Sequence, residues 1–164
     1  MKFYYKDGVT SEVLDFSKTL HREDGPAAIY SDGFEWYLNG KLHREDGPAV
    51  NGTEPSRRKA VLLQPSLIED YKLMTVMAGR KDPFEAGKYW YKSGKLHRED
   101  GPAIDLKIEN WKMYCINDMV IYNKEAYDDI RKGKDLSYYL SSPVQGEREF
   151  AEIISGKKEF GKIR

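Results

Sequence analysis

An identical string of eight residues, Leu-His-Arg-Glu-Asp-Gly-Pro-Ala, occurs three times in this chain of 164 residues, at 20–27, 42–49 and 96–103. The first two copies start 22 residues apart, a period typical of proteins in which one small unit stacks on its copies. The second and third start 54 residues apart, which is either two periods with 10 further residues or one period with 32 inserted residues. The chain is therefore predicted to be an interrupted repeat protein.

Each octapeptide belongs to a longer unit that begins with two aromatic residues and a turn dipeptide. These openings lie at 4–8, 36–40 and 90–94, and their turns are Asp-Gly, Asn-Gly and Ser-Gly. An aromatic strand followed by such a dipeptide predicts a two-residue hairpin turn whose second residue takes a positive φ. The Glu-Asp-Gly-Pro of the octapeptide predicts a second reversal of the chain. Each unit is thus predicted to be a short β-meander that needs neighbouring units to bury its aromatic face.

The aromatic-turn-octapeptide unit resembles the divergent MORN-type repeat. Residues 36–49 and 90–103 match that pattern closely, residues 20–27 match its second half, and about half of the chain is covered. The resemblance implies an elongated antiparallel sheet of hairpins that serves as an interaction platform for proteins and, in some reports, membrane lipids. The octapeptide variety is similar to that in proteins of large bacteriophages and giant viruses. It implies a viral accessory protein in the host cytoplasm that binds a host protein, for example one of a defence system.

Composition excludes several classes of protein. The 27 basic and 27 acidic residues give no net charge, so a general nucleic-acid binder is not expected. Cys115 is the single cysteine, which excludes a disulfide framework and a thiolate metal site and is typical of an intracellular protein. The sequence contains no apolar run that predicts a signal peptide or a membrane span.

The segments outside the repeats predict helices, so the fold class is α+β. We divide the chain into a first sheet part at 1–50, a helical insertion at 51–87, a second sheet part at 88–122 and a C-terminal helical segment at 123–164. Residues 111–122 resemble the hairpin of a fourth unit, although no octapeptide follows it. Residues 9–19 interrupt the first unit and are compatible with either a strand or a short helix.

Capping residues place these helices. Ser66 and Glu69 form a capping box before an inserted helix at 66–78, which is expected to cover one face of the sheet. Asn123 is expected to cap a helix at 124–132, and Asp135 a shorter turn through 140. Ser142 opens a second capping box, for a helix that reaches about residue 155.

The charged residues of the octapeptide suggest chemistry, but they are copied together with the fold. Catalysis needs one asymmetric site, so we predict no catalytic residue, no metal ligand and no cofactor. Instead, Arg is expected to pair with an acid of the next copy, and His to donate to a turn carbonyl. The residues predicted to be structural in this way are His21, Arg22, Asp24, His43, Arg44, Asp46, His97, Arg98 and Asp100.

Three functional hypotheses remain open. The first is a non-enzymatic repeat scaffold that binds a protein, with an exposed aromatic face in which Tyr37 and Tyr91, and also Tyr5, are candidates. The second is a binder of a small anionic ligand or nucleotide, framed by Arg57, Arg58 and Arg80 beside the inserted helix. The third is an enzyme that uses one copy of the His-Arg-Glu-Asp set. Open sheet edges would also permit homo-oligomers.

Overall fold

The computed structural model describes residues 1–52, 87–107 and 111–157. These residues form thirteen short strands and three helices, which confirms an α+β fold with an antiparallel sheet of hairpins and C-terminal helices. The strands are β1 Lys2–Tyr4, β2 Thr10–Ser11, β3 Ala28–Ile29, β4 Gly33–Glu35, β5 Tyr37–Leu38, β6 Lys41–Leu42, β7 Val50–Gly52, β8 Gly87–Tyr89, β9 Tyr91–Lys92, β10 Lys95–Leu96, β11 Ile104–Leu106, β12 Lys112–Ile116 and β13 Met119–Ile121. The helices are α1 Lys124–Arg131, α2 Leu136–Tyr139 and α3 Gln145–Ile154.

Nine of the strands form the main sheet, in the order β13-β12-β11-β8-β7-β4-β3-β1-β2. Every neighbouring pair is antiparallel. The chain leaves this sheet at Trp36 and again at Trp90, forms the separate hairpins β5–β6 and β9–β10, and returns through the octapeptide. Each repeat unit therefore contributes to two structures, the main sheet and a row of small hairpins.

Backbone hydrogen bonds join the small hairpins into a row. The amide of Gly40 donates to the carbonyl of Leu20 over 2.8 Å, and the amide of Gly94 donates to Leu42 over the same distance. The amide of Asp118 donates to Leu96 over 2.9 Å, so the β12–β13 hairpin joins the row as a fourth member. The octapeptide of one unit thus always meets the turn of the following unit.

This pattern settles the spacing between the second and third octapeptides. Strand β7 of the second unit pairs directly with β8 of the third, with Val50 opposite Tyr89. The amide of Arg44 also donates to the carbonyl of Tyr91 over 3.1 Å, as Arg22 does to Tyr37 in the preceding pair of units. The two units are therefore adjacent in the stack, and the longer spacing is one period with an insertion.

The hairpin turns of the second and third units have the predicted two residues, but both residues of each turn have a positive φ, whereas the sequence predicted this only for the second. Asn39 and Gly40 have φ of 51° and 74°, and Ser93 and Gly94 have 56° and 81°, so both turn residues are left-handed, as in a type I′ turn. In the fourth hairpin Asp118 stands where the other turns have glycine, with φ of 69°. Its carboxylate accepts a hydrogen bond of 2.7 Å from the amide of Leu96. Burial raises the pKa of this carboxyl group.

One buried row of side chains runs across the main sheet, because the register places one residue of each strand opposite the next. The row consists of Phe3, Ala28, Glu35, Val50, Tyr89, Ile104 and Met113. The small hairpins add further apolar residues to the same cluster, including Leu42, Leu96 and the thiol of Cys115. All members of the row are apolar except Glu35.

The expected exposed aromatic face is wrong for the three tyrosines. Tyr37 is 8% exposed, Tyr91 is 3% exposed, and Tyr5 is buried as well. Their side chains point into the core between the units, because an isolated unit has no other apolar surface on which to pack them. The neighbouring Trp36 and Trp90 are half-buried.

Three helices cover the last hairpin. Ile116 and Ile121 of the hairpin share a second apolar cluster with Tyr127, Ile130 and Phe150 of the helices. The predicted Asn123 cap is confirmed, since its side chain accepts a hydrogen bond of 2.8 Å from the amide of Glu125. The helices therefore close the stack at the end formed by the fourth hairpin.

The other two predicted caps are wrong. Asp135 precedes α2 with φ of 46° and makes no side-chain capping bond. Helix α3 begins at Gln145 after Val144, because the hydroxyl of Ser142 accepts from the amide of Val144 and donates to the buried Glu147 instead.

Some predictions lie outside the described residues. They are the inserted helix at 66–78, the arginines Arg57, Arg58 and Arg80, and the end of the chain after residue 157. The interrupted segment at 9–19 is described, and it contains the short strand β2 without a helix. Over the described ranges, no helix has the length and apolar character needed to cross a membrane.

Candidate functional site

The three octapeptides have the same internal structure. In each, the arginine Nε donates to the aspartate two residues later, at 2.8 Å for Arg22, 2.7 Å for Arg44 and 2.6 Å for Arg98. The expectation that arginine pairs with the next copy is therefore wrong, because the loop folds back far enough for a local pair. This pairing lowers the pKa of the three carboxyl groups, those of Asp24, Asp46 and Asp100.

Each guanidinium also lies on an aromatic ring at the start of its own unit. The distances from Cζ to the ring centroid are 4.1 Å for Arg22 on Tyr4, 4.3 Å for Arg44 on Trp36 and 3.9 Å for Arg98 on Trp90. Such contacts are cation–π interactions, and they cover the outer face of the aromatic ring. The outer face of each half-buried ring is thus covered by the arginine of its own unit's octapeptide.

The octapeptide histidines connect one unit to the next. Their Nδ1 atoms accept hydrogen bonds from backbone amides of the following turn, those of Asn39, Ser93 and Asn117, at 3.0, 3.1 and 3.3 Å. An Nδ1 that accepts a bond carries no proton, so these rings are held as the Nε2-protonated tautomer, and the predicted donation to a carbonyl is wrong. Burial lowers the pKa of His43, which favours the neutral form that this contact requires.

The copied arginines and aspartates therefore fix the loop of their own unit, and the copied histidines join one unit to the next. The histidine Nε2 atoms face the glutamate of the same loop. The distance from Nε2 of His97 to Oε1 of Glu99 is 3.0 Å. Among the described residues, no group of three or more His, Cys, Asp or Glu side chains is arranged to hold a metal ion. A binding site that is specific to this protein is therefore expected where one unit differs from the others.

Within the buried row of the main sheet, the second unit differs from the others at Glu35. The residue five positions before the second residue of the hairpin turn is Phe3 in the first unit, Tyr89 in the third and Met113 in the fourth. All three are buried. The second unit has Glu35 at this position, and it is only 3% exposed. Burying a carboxylate is costly unless it is hydrogen-bonded, so this residue needs polar partners inside the fold.

Two tyrosine hydroxyls donate to the same oxygen of Glu35. Tyr30 Oη lies 2.9 Å and Tyr37 Oη lies 3.2 Å from Oε2. Burial, followed by the negative charge of Glu35, raises the pKa of Tyr37 far above its ordinary value, so its hydroxyl remains a donor. The two hydroxyls hold the carboxylate in one orientation.

A cavity of about 380 Å³ opens beside this group, a size typical of small-ligand sites. Its walls are mainly apolar. Leu14, Leu20 and Phe16 form the apolar part, and Asp15 and Lys18 add one charge of each sign. Tyr30, Glu35 and Tyr37 line the same cavity. The cavity therefore combines an apolar wall with a carboxylate held by two phenols.

The interrupted segment 9–19 builds the outer wall. The hydroxyl of Tyr5 accepts from the amide of Asp15 over 2.7 Å and donates to the carbonyl of Val13 over 3.3 Å. The Asp15 carboxylate accepts from the amide and hydroxyl of Ser17, which lowers its pKa. Lys18 forms an ion pair with Asp7. These contacts fix the residues between 13 and 18 over the edge of the second hairpin.

Three large apolar side chains of this segment face solvent, one of which, Phe16, also lines the cavity, and we name them the apolar rim. They are Val9, Val13 and Phe16. Val13 is 75% exposed and Phe16 is 87% exposed. The rim lies in the first unit, at the opposite end of the stack from the three helices.

The structure brings together few of the residues that the sequence suggested for binding. Tyr37 lines the cavity, but Tyr91 lies in the core of the next unit and does not line it. Glu35, Tyr30 and Leu14 were missed. Aligning the units by their hairpin turns would have revealed Glu35, because it is the one acid in a column of Phe, Tyr and Met. No protein-family model, curated protein or solved structure matches this chain, so its function has to be argued from this geometry.

Proposed function

We propose that this protein is a non-enzymatic repeat scaffold that binds another protein through the apolar rim and the adjoining cavity. The observation that carries the proposal is the exposure of Val13 and Phe16 in a segment that is not copied with the repeats. Large apolar side chains that are exposed close together in the sequence are frequent in protein-binding surfaces. A structural role alone gives no reason to leave them in water.

The arrangement of the copied residues supports a scaffold rather than an enzyme. Each histidine, arginine and aspartate of the octapeptide has a partner inside the stack, and the same partner type recurs in all three copies. A catalytic group would differ from its copies in environment. The buried carboxylate also disfavours an anionic ligand in the cavity, since like charges repel in a site of low dielectric.

The resemblance to MORN-type repeats supports a more specific form of this proposal. On that basis the chain is a viral accessory protein, its partner is a host protein, and binding takes place in the host cytoplasm. Interference with a host defence protein would be one outcome of such binding. This part rests on analogy between repeat sequences, and the test below does not depend on it.

The test is affinity capture from host lysate with paired surface variants. The rim variant replaces Val13 and Phe16 by serine, and the control variant replaces Tyr122 and Tyr138, which are also exposed but lie beside the helices. We expect a stoichiometric partner with the natural chain and with the control, and at least a tenfold loss with the rim variant. Capture that is equal in all three, or absent from all three, would contradict the proposal.

A further inference from the structure

We propose that the junction between the second and third units opens in weak acid, because His43 holds it only while the imidazole ring is neutral. This inference concerns the stack itself and goes beyond protein binding by the apolar rim. It rests on the contact of His43 with the following hairpin and on how the two units are joined along the chain.

The contact of His43 is possible in one charge state only. Its Nδ1 accepts a hydrogen bond of 3.1 Å from the amide of Ser93, in the turn of the third unit. Protonation of the ring places a hydrogen on Nδ1, so that two donors face each other and the amide loses its acceptor. The side chain of His43 is only 14% exposed, which leaves water little access to both groups. The charged ring therefore favours a separated loop and turn.

Two charged groups face His43. Glu45 lies 4.0 Å from its Nε2 in the same octapeptide, and Lys92 belongs to strand β9 of the facing hairpin. Burial lowers the pKa of His43 from its ordinary value of 6.5, the negative charge of Glu45 raises it by less, and the positive charge of Lys92 lowers it further. The open junction thus binds the proton more tightly than the closed one, and the closed junction loses stability as the pH falls below 6.5.

Two backbone hydrogen bonds flank the histidine contact. The amide of Gly94 donates to the carbonyl of Leu42 over 2.8 Å, and the amide of Arg44 donates to the carbonyl of Tyr91 over 3.1 Å. All three contacts join residues 42–44 of one unit to residues 91–94 of the next. Because these contacts form one short ladder, loss of the middle one weakens the attachment of the whole hairpin.

The connection along the chain also differs at this junction. Strands β3 and β4 are separated by residues 30–32, and β11 and β12 by residues 107–111, whereas residues 53–86 separate β7 from β8. A short connection favours pairing of two strands, since closing a short loop costs less entropy than closing a long one. The second junction has the longest connection of the three, so it is the one that we expect to open first.

The experiment is native-state hydrogen exchange of the full chain, followed by NMR at about pH 7.5 and about pH 5.5. Its readout is the protection factor of the Ser93 amide, which corrects the measured rate for the direct effect of pH on exchange. One histidine whose pKa is lowered by closure makes opening about tenfold more frequent over this interval. We therefore expect the protection of Ser93 to fall about tenfold at the lower pH, while amides of the β3–β4 pair keep theirs.

The matched variant is His43→Asn. The side-chain oxygen of asparagine takes the place of Nδ1 and accepts a hydrogen bond without titrating in this range. We expect this variant to protect the Ser93 amide equally at both pH values. His21→Asn changes the same position of the first unit, and it should leave the fall at Ser93 as large as in the natural chain.

A direct titration of the His43 ring in the natural chain, followed by the NMR signals of its ring protons, needs no variant. The proposal is overturned if this ring titrates at or above 6.5, or if the natural chain protects Ser93 equally at both pH values. It is also overturned if the fall persists in folded His43→Asn, or if the β3–β4 amides lose protection to the same extent. Such a result would leave the capture by the apolar rim intact, since that test changes Val13 and Phe16.

Discussion

The glycine of the octapeptide shows how a single residue can be required for space and not for backbone conformation. Gly25, Gly47 and Gly101 do not have a positive φ, although the Asp-Gly-Pro motif predicts a turn. A Cβ on them would lie 2.7, 2.9 and 2.8 Å from the Cζ of the arginine three residues earlier. The sequence predicted the turn but not this contact, because the arginine reaches its position only when the loop and the aromatic ring are both in place.

Replacing Gly47 by alanine should therefore displace Arg44 from Trp36. We expect the free energy of unfolding in urea to fall by about 0.5–1 kcal/mol, the value of a partly exposed cation–π contact, because the flexible guanidinium can move away from the new methyl group. The matched control is a double-mutant cycle with Arg44→Ala, since the clash disappears when the guanidinium is removed. In the Arg44→Ala background the glycine change should cost much less. Equal costs in both backgrounds would show that backbone conformation, and not the guanidinium, requires glycine.

At the scale of single elements, helix α1 shows which features of the fold are local. Its cap at Asn123 was predicted, and its buried residues Ala126, Tyr127 and Ile130 lie at the spacing of one helical face, so both depend on neighbours within one or two turns. The start of α3 was predicted two residues early, because the hydroxyl of Ser142 is engaged by Glu147. Local pattern predicts a helix well when no buried polar contact competes for the capping residue.

Tyr127 joins helix α1 to the third octapeptide. Its hydroxyl lies 3.2 Å from the carbonyl oxygen of Arg98 and 3.0 Å from that of Gly101. Tyr127→Phe should lower the free energy of unfolding by about 1 kcal/mol, because a buried carbonyl loses its donor. Tyr138→Phe is the control, since that ring is exposed. A denaturant titration that gives the same small effect for both variants would argue against docking of α1 through this hydroxyl.

The whole molecule is a stack in which neighbours in space are neighbours in repeat number. The presence of stacked hairpins could be predicted, because the same octapeptide occurs three times in the sequence. The cavity could not, because its lining comes from segment 9–19, from Tyr30 and from the strand around Glu35. These segments meet only after the first two units have stacked.

Direct stacking of the second unit on the third makes a strong prediction about residues 53–86. In the first junction, the turn between strands β3 and β4 contains Ser31 and Asp32 before Gly33. Replacing 53–86 by Ser-Asp removes thirty-four residues, adds two and restores the 22-residue spacing between His43 and His97. Because β7 and β8 already pair, we expect a folded chain with a cooperative thermal transition. Loss of cooperative melting would indicate that the stack needs the replaced segment.

The forward contact from each octapeptide to the following turn gives the stack a direction. The histidine of one unit always accepts from the amide of the next, and no described copy reaches backwards in this way. An extra unit placed between existing ones would find the same donors and acceptors on both of its borders. Growth and shortening by whole units are therefore compatible with the interior, whereas a unit added after Ile121 would have to displace the helices. The length of such a protein can thus vary in whole modules while its two dissimilar ends stay unchanged.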